Sequence, residues 1–292
     1  MKRYTFYPGC TYDASAVGYK MSTEAILGPL GVELVELKDW NCCGSTPYSG
    51  TQELAAFCVA ARNLALAEEA GLDLVTPCSS CYVILNRANL FFHDYPALKA
   101  RVDEALAAGG LEYHGTVKVR HLLDVIVNDV GYDTIKSLVK RDLNDMKVAP
   151  YYGCQMVRPK LGFDDPEYPQ TLDKLVAALG AKAVDFPLKS RCCGGSLMLS
   201  EEDKSLGLAR NLLESASSHE ADLMVTVCPL CQSNVDMFQS NVNKKFKTNY
   251  NMPILFFTQL IGFAIGLDVK DLGMDKSIVL PDRVLAGYLG RK

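Results

Sequence analysis

Ten of the eleven cysteines fall into two copies of one pattern. The first copy consists of Cys10, Cys42, Cys43, Cys78 and Cys81, and the second of Cys154, Cys192, Cys193, Cys228 and Cys231. In each copy a lone cysteine precedes a Cys-Cys-Gly segment, and a Cys-x-x-Cys segment begins 35 residues after the second cysteine of the pair. Clustered thiols of this kind bind metals or carry out redox chemistry.

Each copy supplies five sulfurs, one more than a zinc ion or a cubane [4Fe-4S] cluster takes. Neighbouring side chains on an extended segment point in opposite directions, so Cys42 and Cys43 suit different irons of one cluster better than a single tetrahedral ion. The pattern therefore favours iron–sulfur ligation. Zinc in one or both copies, and dithiol or disulfide chemistry, are the alternatives.

Glycines follow both cysteine pairs. Gly44, Gly194 and Gly195 carry no Cβ, so the backbone can come close to a cluster there and adopt a positive φ. We predict that their N–H groups bind the cofactor through its sulfides. Each Cys-x-x-Cys is expected to open a helix, whose N-terminus stabilises thiolates and lowers their pKa.

The elements that position these cysteines alternate between strand and helix. The predicted strands are RYTFYP, VELVEL and LDLVTP in the first copy, and KVAPYYG, AKAVDF and DLMVTV in the second. Helical spacing over 52–70 and 201–218 separates the last two strands of each copy. We predict an α/β fold of two tandem, duplicated Rossmann-like domains with mainly parallel sheets, covering residues 1–145 and 146–292. The cysteines then meet at the carboxyl ends of the strands.

Two further apolar segments are predicted as core helices. VRHLLDVIVNDVG lies in the first half and PILFFTQLIGFAIGL in the second. The second segment has a docking face for a protein partner as its alternative interpretation. It is shorter than the roughly 20 residues needed to cross a bilayer.

Composition and charge exclude several classes of protein. The 292 residues carry a net charge of −4 without a basic run, which makes nucleic acid a poor partner. No signal peptide or membrane span is apparent, so we expect a cytoplasmic protein. An odd number of cysteines in such a chain argues against a disulfide framework.

Several residues outside the pattern need an interpretation. Cys58 lies among apolar helix formers and is predicted to pack in the core. Of the four histidines, which we expect to be ordinary surface or hydrogen-bonded residues, His121 is the one to compare with the cluster sites. Lys189 and Arg191 precede the second pair, where they are expected to be solvated loop charges, with attraction of an anionic substrate as the alternative.

The order Cys, Cys-Cys-Gly, Cys-x-x-Cys in two complete copies resembles the paired cysteine-rich CCG domains of HdrB, the disulfide-reducing subunit of heterodisulfide reductase. The resemblance implies that each five-cysteine set holds one noncubane [4Fe-4S] cluster, and that the two clusters face each other across the domain interface. It also implies a catalytic subunit of a cytoplasmic heterodisulfide reductase complex, which reduces the disulfide of coenzyme M and coenzyme B.

The implied partners are a small ferredoxin-like subunit and a flavin-containing subunit of the same complex, with no flavin or nucleotide bound by this chain itself. Two alternatives have the same ligands. One is a homologue that reduces another disulfide or a sulfur-carrier protein, and the other is an electron-relay component of an organic-acid oxidoreductase.

Overall fold

The computed structural model describes residues 1–45, 48–157 and 162–291. The strands are β1 (Lys2–Phe6), β2 (Val32–Glu36), β3 (Leu74–Thr76), β4 (Val119–His121), β5 (Lys147–Tyr151), β6 (Lys182–Ala183), β7 (Leu223–Thr226) and β8 (Ile254–Phe256). The helices of the first half are α1 (Val17–Leu30), α2 (Tyr48–Thr51), α3 (Glu53–Ala70), α4 (Ser79–Asp94), α5 (Pro96–Ala108), α6 (Leu122–Asp124) and α7 (Tyr132–Leu138). Those of the second half are α8 (Gly153–Met156), α9 (Thr171–Ala178), α10 (Glu202–Ser218), α11 (Pro229–Met237), α12 (Gln239–Phe246), α13 (Phe257–Ala264) and α14 (Asp282–Leu285). A π-helical turn (Val125–Gly131) joins α6 to α7, and short 3₁₀ turns occupy Gly195–Leu197 and Met274–Lys276.

The strands form two four-stranded parallel sheets with the same topology. The strand order is β2-β1-β3-β4 in the first sheet and β6-β5-β7-β8 in the second. At the end of the last pair in each sheet, Thr76 lies opposite His121 and Thr226 lies opposite Phe256. The duplicated α/β fold predicted from the sequence is confirmed.

Glycines end the first long helices, as their positions predict. Gly31 follows α1 with φ 65° and Gly71 follows α3 with φ 71°, both in the left-handed region where a side chain would be strained. The chain can therefore turn directly into β2 after α1 and towards β3 after α3. This tight return places the next cysteine segment at the same edge of the sheet.

The two apolar segments predicted as core helices begin as strands. VRHLLDVIVNDVG starts with β4, and PILFFTQLIGFAIGL contains β8 before α13 begins at Phe257. Helical spacing predicted these segments as helices throughout, because three buried strand residues are too few to show an alternating pattern. The core location is confirmed, since every residue of α13 is buried.

The two halves pack against each other reciprocally. Helix α1 of the first half contacts α13 of the second, while α9, the counterpart of α1, contacts α7. In the first of these contacts Ser22 Oγ and Thr258 Oγ1 share a buried hydrogen bond of 2.7 Å. In the second, Tyr132 donates its hydroxyl to the carbonyl of Thr171 at 3.1 Å. The halves are therefore related by an approximate two-fold arrangement of their helices.

Apolar residues from both halves form one large core, which includes Tyr19, Leu123, Phe256 and Phe257. A second core lies within the second half, around Tyr151 and Phe186. Among the described residues, no helix is both long enough and apolar enough to cross a membrane.

Candidate metal centres

In the first half, the predicted ligands come together at the carboxyl edge of the sheet. The Sγ atoms of Cys43 and Cys81 are 3.4 Å apart. The thiol of Cys42 interacts with that of Cys43, and the thiol of Cys78 with that of Cys81. Cys10 adds an electrostatic interaction with Cys42. Strand ends and helix starts thus bring all five sulfurs into one neighbourhood.

The second half repeats this arrangement. Its thiols form a continuous chain of neighbours, from Cys154 to Cys192, on to Cys193, then Cys231 and finally Cys228. The N–H groups of Gly194 and Gly195 point to the sulfurs of Cys192 and Cys193, each at 3.3 Å. The sulfurs therefore sit among their own backbone donors.

The thiols within each set differ in acidity. Hydrogen bonds from the thiols of Cys42 and Cys81 lower the pKa of Cys43 to about 4. The pKa of Cys228 falls to about 7, because the Cys231 thiol and then the N–H groups of Cys231 and Leu230 at the start of α11 stabilise its thiolate. The predicted lowering is wrong for Cys81 and Cys231. The pKa of each is raised, first because its proton is shared with the thiolate of a neighbouring Cys-Cys pair.

A buried tyrosine holds each Cys-Cys-Gly loop. Tyr7 donates its hydroxyl to the carbonyl of Asn41, and Tyr151 donates to the carbonyl of Arg191, both at 2.7 Å. These carbonyls immediately precede the cysteine pairs, and both tyrosines are fully buried. Burial raises the pKa of Tyr7 well above its usual range, and the charges of nearby Cys81 and Cys43 raise it further. The tyrosines therefore remain protonated donors beside the thiols.

The glycines after the cysteine pairs meet the prediction in part. Gly44 and Gly194 have φ values of 78° and 85°, as predicted. The expectation of a positive φ is wrong for Gly195, which begins a 3₁₀ turn. Its lack of a Cβ is required by close packing instead, because a Cβ would lie 2.9 Å from Leu230 Cγ.

Two glycines missed by the sequence reasoning complete the cradles. Gly9 and Gly153, directly before the lone cysteines, have φ values of 73° and 71°. A Cβ on Gly9 would lie 3.1 Å from Cys81 Sγ, and one on Gly153 would lie 3.0 Å from Cys231 Sγ. Their repetition in YPGC and YYGC was the available signal.

The donor set fits a cluster of several metal atoms. It contains thiols only, and close backbone around the buried sulfurs leaves no room for a Cβ at Gly9 or Gly153. Across 1–45, 48–157 and 162–291, no three Cys, His, Asp or Glu side chains converge as they would on a single ion. A multinuclear cluster distributes its thiolates over several irons, so its ligands need not converge on one point.

The two Cys-x-x-Cys segments meet at the interface between the halves. The hydroxyl of Ser79, next to Cys78, interacts with the Cys228 thiol and donates to the carbonyl of Val227 at 3.5 Å. Buried Tyr19 lies close enough to Cys78 and Cys228 for both thiolates to raise its pKa. Each thiol set therefore borders a shared interior.

His121 lies in this interior and is fully buried. Its Nδ1 accepts a hydrogen bond of 3.1 Å from the N–H of Leu123, at the start of α6. Burial lowers the pKa of His121 to about 4, so the imidazole is neutral at pH 7. The other three histidines are exposed, as expected for surface residues.

The expectation of solvated charges beside the second cysteine pair is wrong for Lys189. Its side chain is only 3% exposed, and Nζ lies 3.1 Å from Asp173 Oδ1 and 3.9 Å from the centre of the Tyr168 ring. The reason is local folding, since its carbonyl accepts from the N–H groups of Tyr152 and Gly153 and draws the residue inward. Arg191 remains exposed.

A surface groove of about 770 Å³ opens beside Cys42. Cys58 lines this groove together with Trp40 and Arg62. Cys58 is partly buried against the large core, so its predicted packing role is confirmed in part.

With the two thiol sets and the duplicated sheets established, comparison with known proteins gives the class. The profile of the CCG cysteine-rich domain matches residues 4–86 and 148–236. The chain belongs to the CCG cysteine-rich domain family.

Individual relatives match over nearly the whole chain. It is 36% identical over 280 residues to the 8-methylmenaquinol:fumarate reductase membrane anchor subunit of Wolinella succinogenes, which covers 95% of this chain and 97% of that protein. It is 32% identical over 284 residues to the HdrB subunit of the ferredoxin/F420H2-dependent CoB-CoM heterodisulfide reductase of Methanosarcina acetivorans, covering 96% of this chain and 94% of the relative.

A solved structure shares the fold. The crystal structure of a hypothetical protein from Helicobacter pylori superposes with a TM-score of 0.77 at 18% identity. The match covers 95% of this chain and 52% of that one.

Proposed function

We propose that this chain is the catalytic subunit of an iron–sulfur oxidoreductase complex that reduces the disulfide of coenzyme M and coenzyme B. The observation that carries this proposal is the meeting of two five-thiol sets at one interface, with Ser79 of the first half against Cys228 of the second. We also propose that the domains divide between residues 145 and 146, just before β5.

Each set of five cysteines would hold one noncubane [4Fe-4S] cluster. Cys10, Cys42, Cys43, Cys78 and Cys81 would hold the first, and Cys154, Cys192, Cys193, Cys228 and Cys231 the second. When bound, such clusters would each supply one electron, and the pair would match the two electrons that cleavage of a disulfide to two thiols consumes.

The protein's own residues prepare the ligands and keep the interface dry. Tyr7 and Tyr151 fix the carbonyls that precede the cysteine pairs, so the paired thiols keep their diverging directions. Tyr19, Phe256 and Ser79 fill the space between the halves. Burial in this way strengthens electrostatic interactions of the thiolates with nearby backbone N–H groups.

The electrons are supplied by partners in this proposal. The two cysteine sets use ten of the eleven cysteines, and Cys58 stands alone in α3. A ferredoxin-like subunit and a flavin-containing subunit would deliver electrons, in line with the name of the Methanosarcina relative. The exposed thiols of Cys10 and Cys42 make the first half the accessible side for that delivery.

A second candidate is an electron-relay component of an organic-acid oxidoreductase. The observation that favours it is the 36% identity to one subunit of a fumarate reductase. The ligand sets are the same in both candidates, so reaction with a disulfide distinguishes them.

The test is a turnover assay with anoxically purified chain, a reduced dye and the heterodisulfide, following release of the two thiols. We expect turnover by the wild type and by Cys58→Ser, which changes the unpatterned cysteine, and loss of turnover in Cys228→Ser. Clusters without any disulfide turnover would favour the electron-relay role. Activity restricted to a different disulfide would favour a homologue with another substrate.

A further inference from the structure

One buried polar atom at the interface has no hydrogen-bond partner of full geometry. His121 Nε2 is inaccessible to solvent and is unsatisfied in the described part of the chain. Leaving a buried donor unmade costs about 1–3 kcal/mol, so such an atom calls for an explanation.

The hydrogen bond on the opposite ring nitrogen fixes where the proton lies. Because Nδ1 accepts from the N–H of Leu123, it is unprotonated, and the neutral imidazole carries its proton on Nε2. Nε2 is thus a donor that points away from α6 and into the interface.

The acceptors closest to this donor are the backbone carbonyls of Pro77 and Val227. Pro77 immediately precedes Cys78, and Val227 immediately precedes Cys228. One N–H placed between two carbonyls forms a three-centre hydrogen bond, in which neither leg has the geometry of a single linear bond. Val227 also accepts from Ser79 Oγ, so two side chains of the first half approach the same peptide of the second.

The second half offers no equivalent link. Phe256 occupies the position of His121, opposite Thr226 as His121 lies opposite Thr76. It cannot donate a hydrogen bond and instead stacks on Tyr19 at 4.2 Å. Pro229 likewise replaces Ser79 after the first cysteine of its Cys-x-x-Cys. The polar connection between the two segments therefore comes from the first half only.

We propose that His121 is a positioning residue that ties the two Cys-x-x-Cys segments together, with Nε2–H shared between the carbonyls of Pro77 and Val227. It sets the separation of Cys78 and Cys228 and so the coupling between the two metal centres. This inference rests on the proposed cluster-binding function of the two thiol sets.

Two substitutions separate this role from helix capping. His121→Asn keeps a side-chain acceptor for the N–H of Leu123 but is too short to reach the two carbonyls. His121→Gln places an N–H donor at about the distance of Nε2. The exposed, matched control is His93→Asn.

The experiment compares iron content, midpoint potentials and the electron paramagnetic resonance spectrum of the reduced, full-length protein. In His121→Asn we expect unchanged iron, a fall in the potentials of both centres through loss of the N–H dipole, and altered magnetic interaction between them. His121→Gln should restore the wild-type values, and His93→Asn should not differ from wild type.

The outcomes distinguish this inference from the proposed function. Wild-type protein without iron would contradict the proposed function itself. Iron-loaded His121→Asn with wild-type potentials and spectrum, or with a change at one centre only, would overturn the bridging role alone. If His121→Asn does not fold, His121→Gln with wild-type properties beside an altered His121→Phe supports the inference, and identical spectra of these two variants reject it.

A readout that needs no metal is the ¹⁵N spectrum of the imidazole in the metal-free chain. The inference predicts a neutral ring protonated on Nε2 throughout pH 6–8. A ring protonated on Nδ1 would contradict it.

Discussion

The two halves hold equivalent cysteine pairs by different means. In the first, Asn63 Nδ2 donates to the carbonyl of Asn41 at 3.0 Å, and its Oδ1 accepts from the Asn41 N–H at 2.9 Å. In the second, Asn234 Nδ2 donates to the carbonyl of Cys193 at 2.8 Å, and Ser205 Oγ donates to the carbonyl of Gly194 at 2.9 Å. Duplication preserved the ligands, the tyrosines and the left-handed glycines, while the surrounding support diverged.

The halves also differ in how open their thiols are. Cys10 and Cys42 are exposed, whereas their counterparts Cys154 and Cys192 are partly buried. The second loop is closely packed against α10, and the first borders the groove beside Cys42. The first centre therefore suits exchange with a partner, and the second suits a fixed geometry.

The largest expected contrast concerns charge pairs at equivalent positions. Asp173→Asn leaves the ammonium of Lys189 buried without its carboxylate and should cost about 3–5 kcal/mol of unfolding free energy. Asp39→Asn, which breaks the exposed pair with Arg62, should cost about 0–1 kcal/mol. Denaturant unfolding of the anoxic protein measures both, and equal losses would contradict the difference in burial.

A smaller contrast is expected for the glycines of the two loops. Ala at Gly194 would place its Cβ 2.9 Å from Ser205 Cα, in addition to the strain of φ 85°, and should cost about 2–4 kcal/mol. Ala at Gly44 would meet only Val59 Cγ1 at 3.7 Å, so we expect about 1–2 kcal/mol from φ alone. Unfolding measurements on the two variants compare them directly, and a greater loss for Gly44→Ala would show that the tighter loop is assigned to the wrong half.

The smallest contrast concerns the tyrosines. Tyr151→Phe removes the only donor that the described residues provide to the carbonyl of Arg191, and should cost about 1–2 kcal/mol. Tyr7→Phe leaves the carbonyl of Asn41 bonded to Asn63, so the loss should be about 0.5–1 kcal/mol. Thermal unfolding at matched pH measures the difference. Similar losses would mean that Asn63 does not compensate.

Much of this arrangement could be predicted because the sequence repeats. Two copies of one spacing predict the duplicated sheets and the convergence of Cys43 with Cys81, since parallel strands end at one edge. The inward turn of Lys189 could not be predicted, because it depends on contacts with Asp173 and Tyr168 that are distant from its own segment. The short strands β4 and β8 were missed for a local reason, since three residues carry too little pattern.

The most direct test of the account is metal analysis of the anoxic protein and of two paired variants. We expect about eight irons per wild-type chain, and about four in Cys42→Ala/Cys43→Ala and in Cys192→Ala/Cys193→Ala, because each half would hold its own four-iron cluster. Zinc in place of iron, or loss of all iron in either paired variant, would contradict two independent iron–sulfur centres.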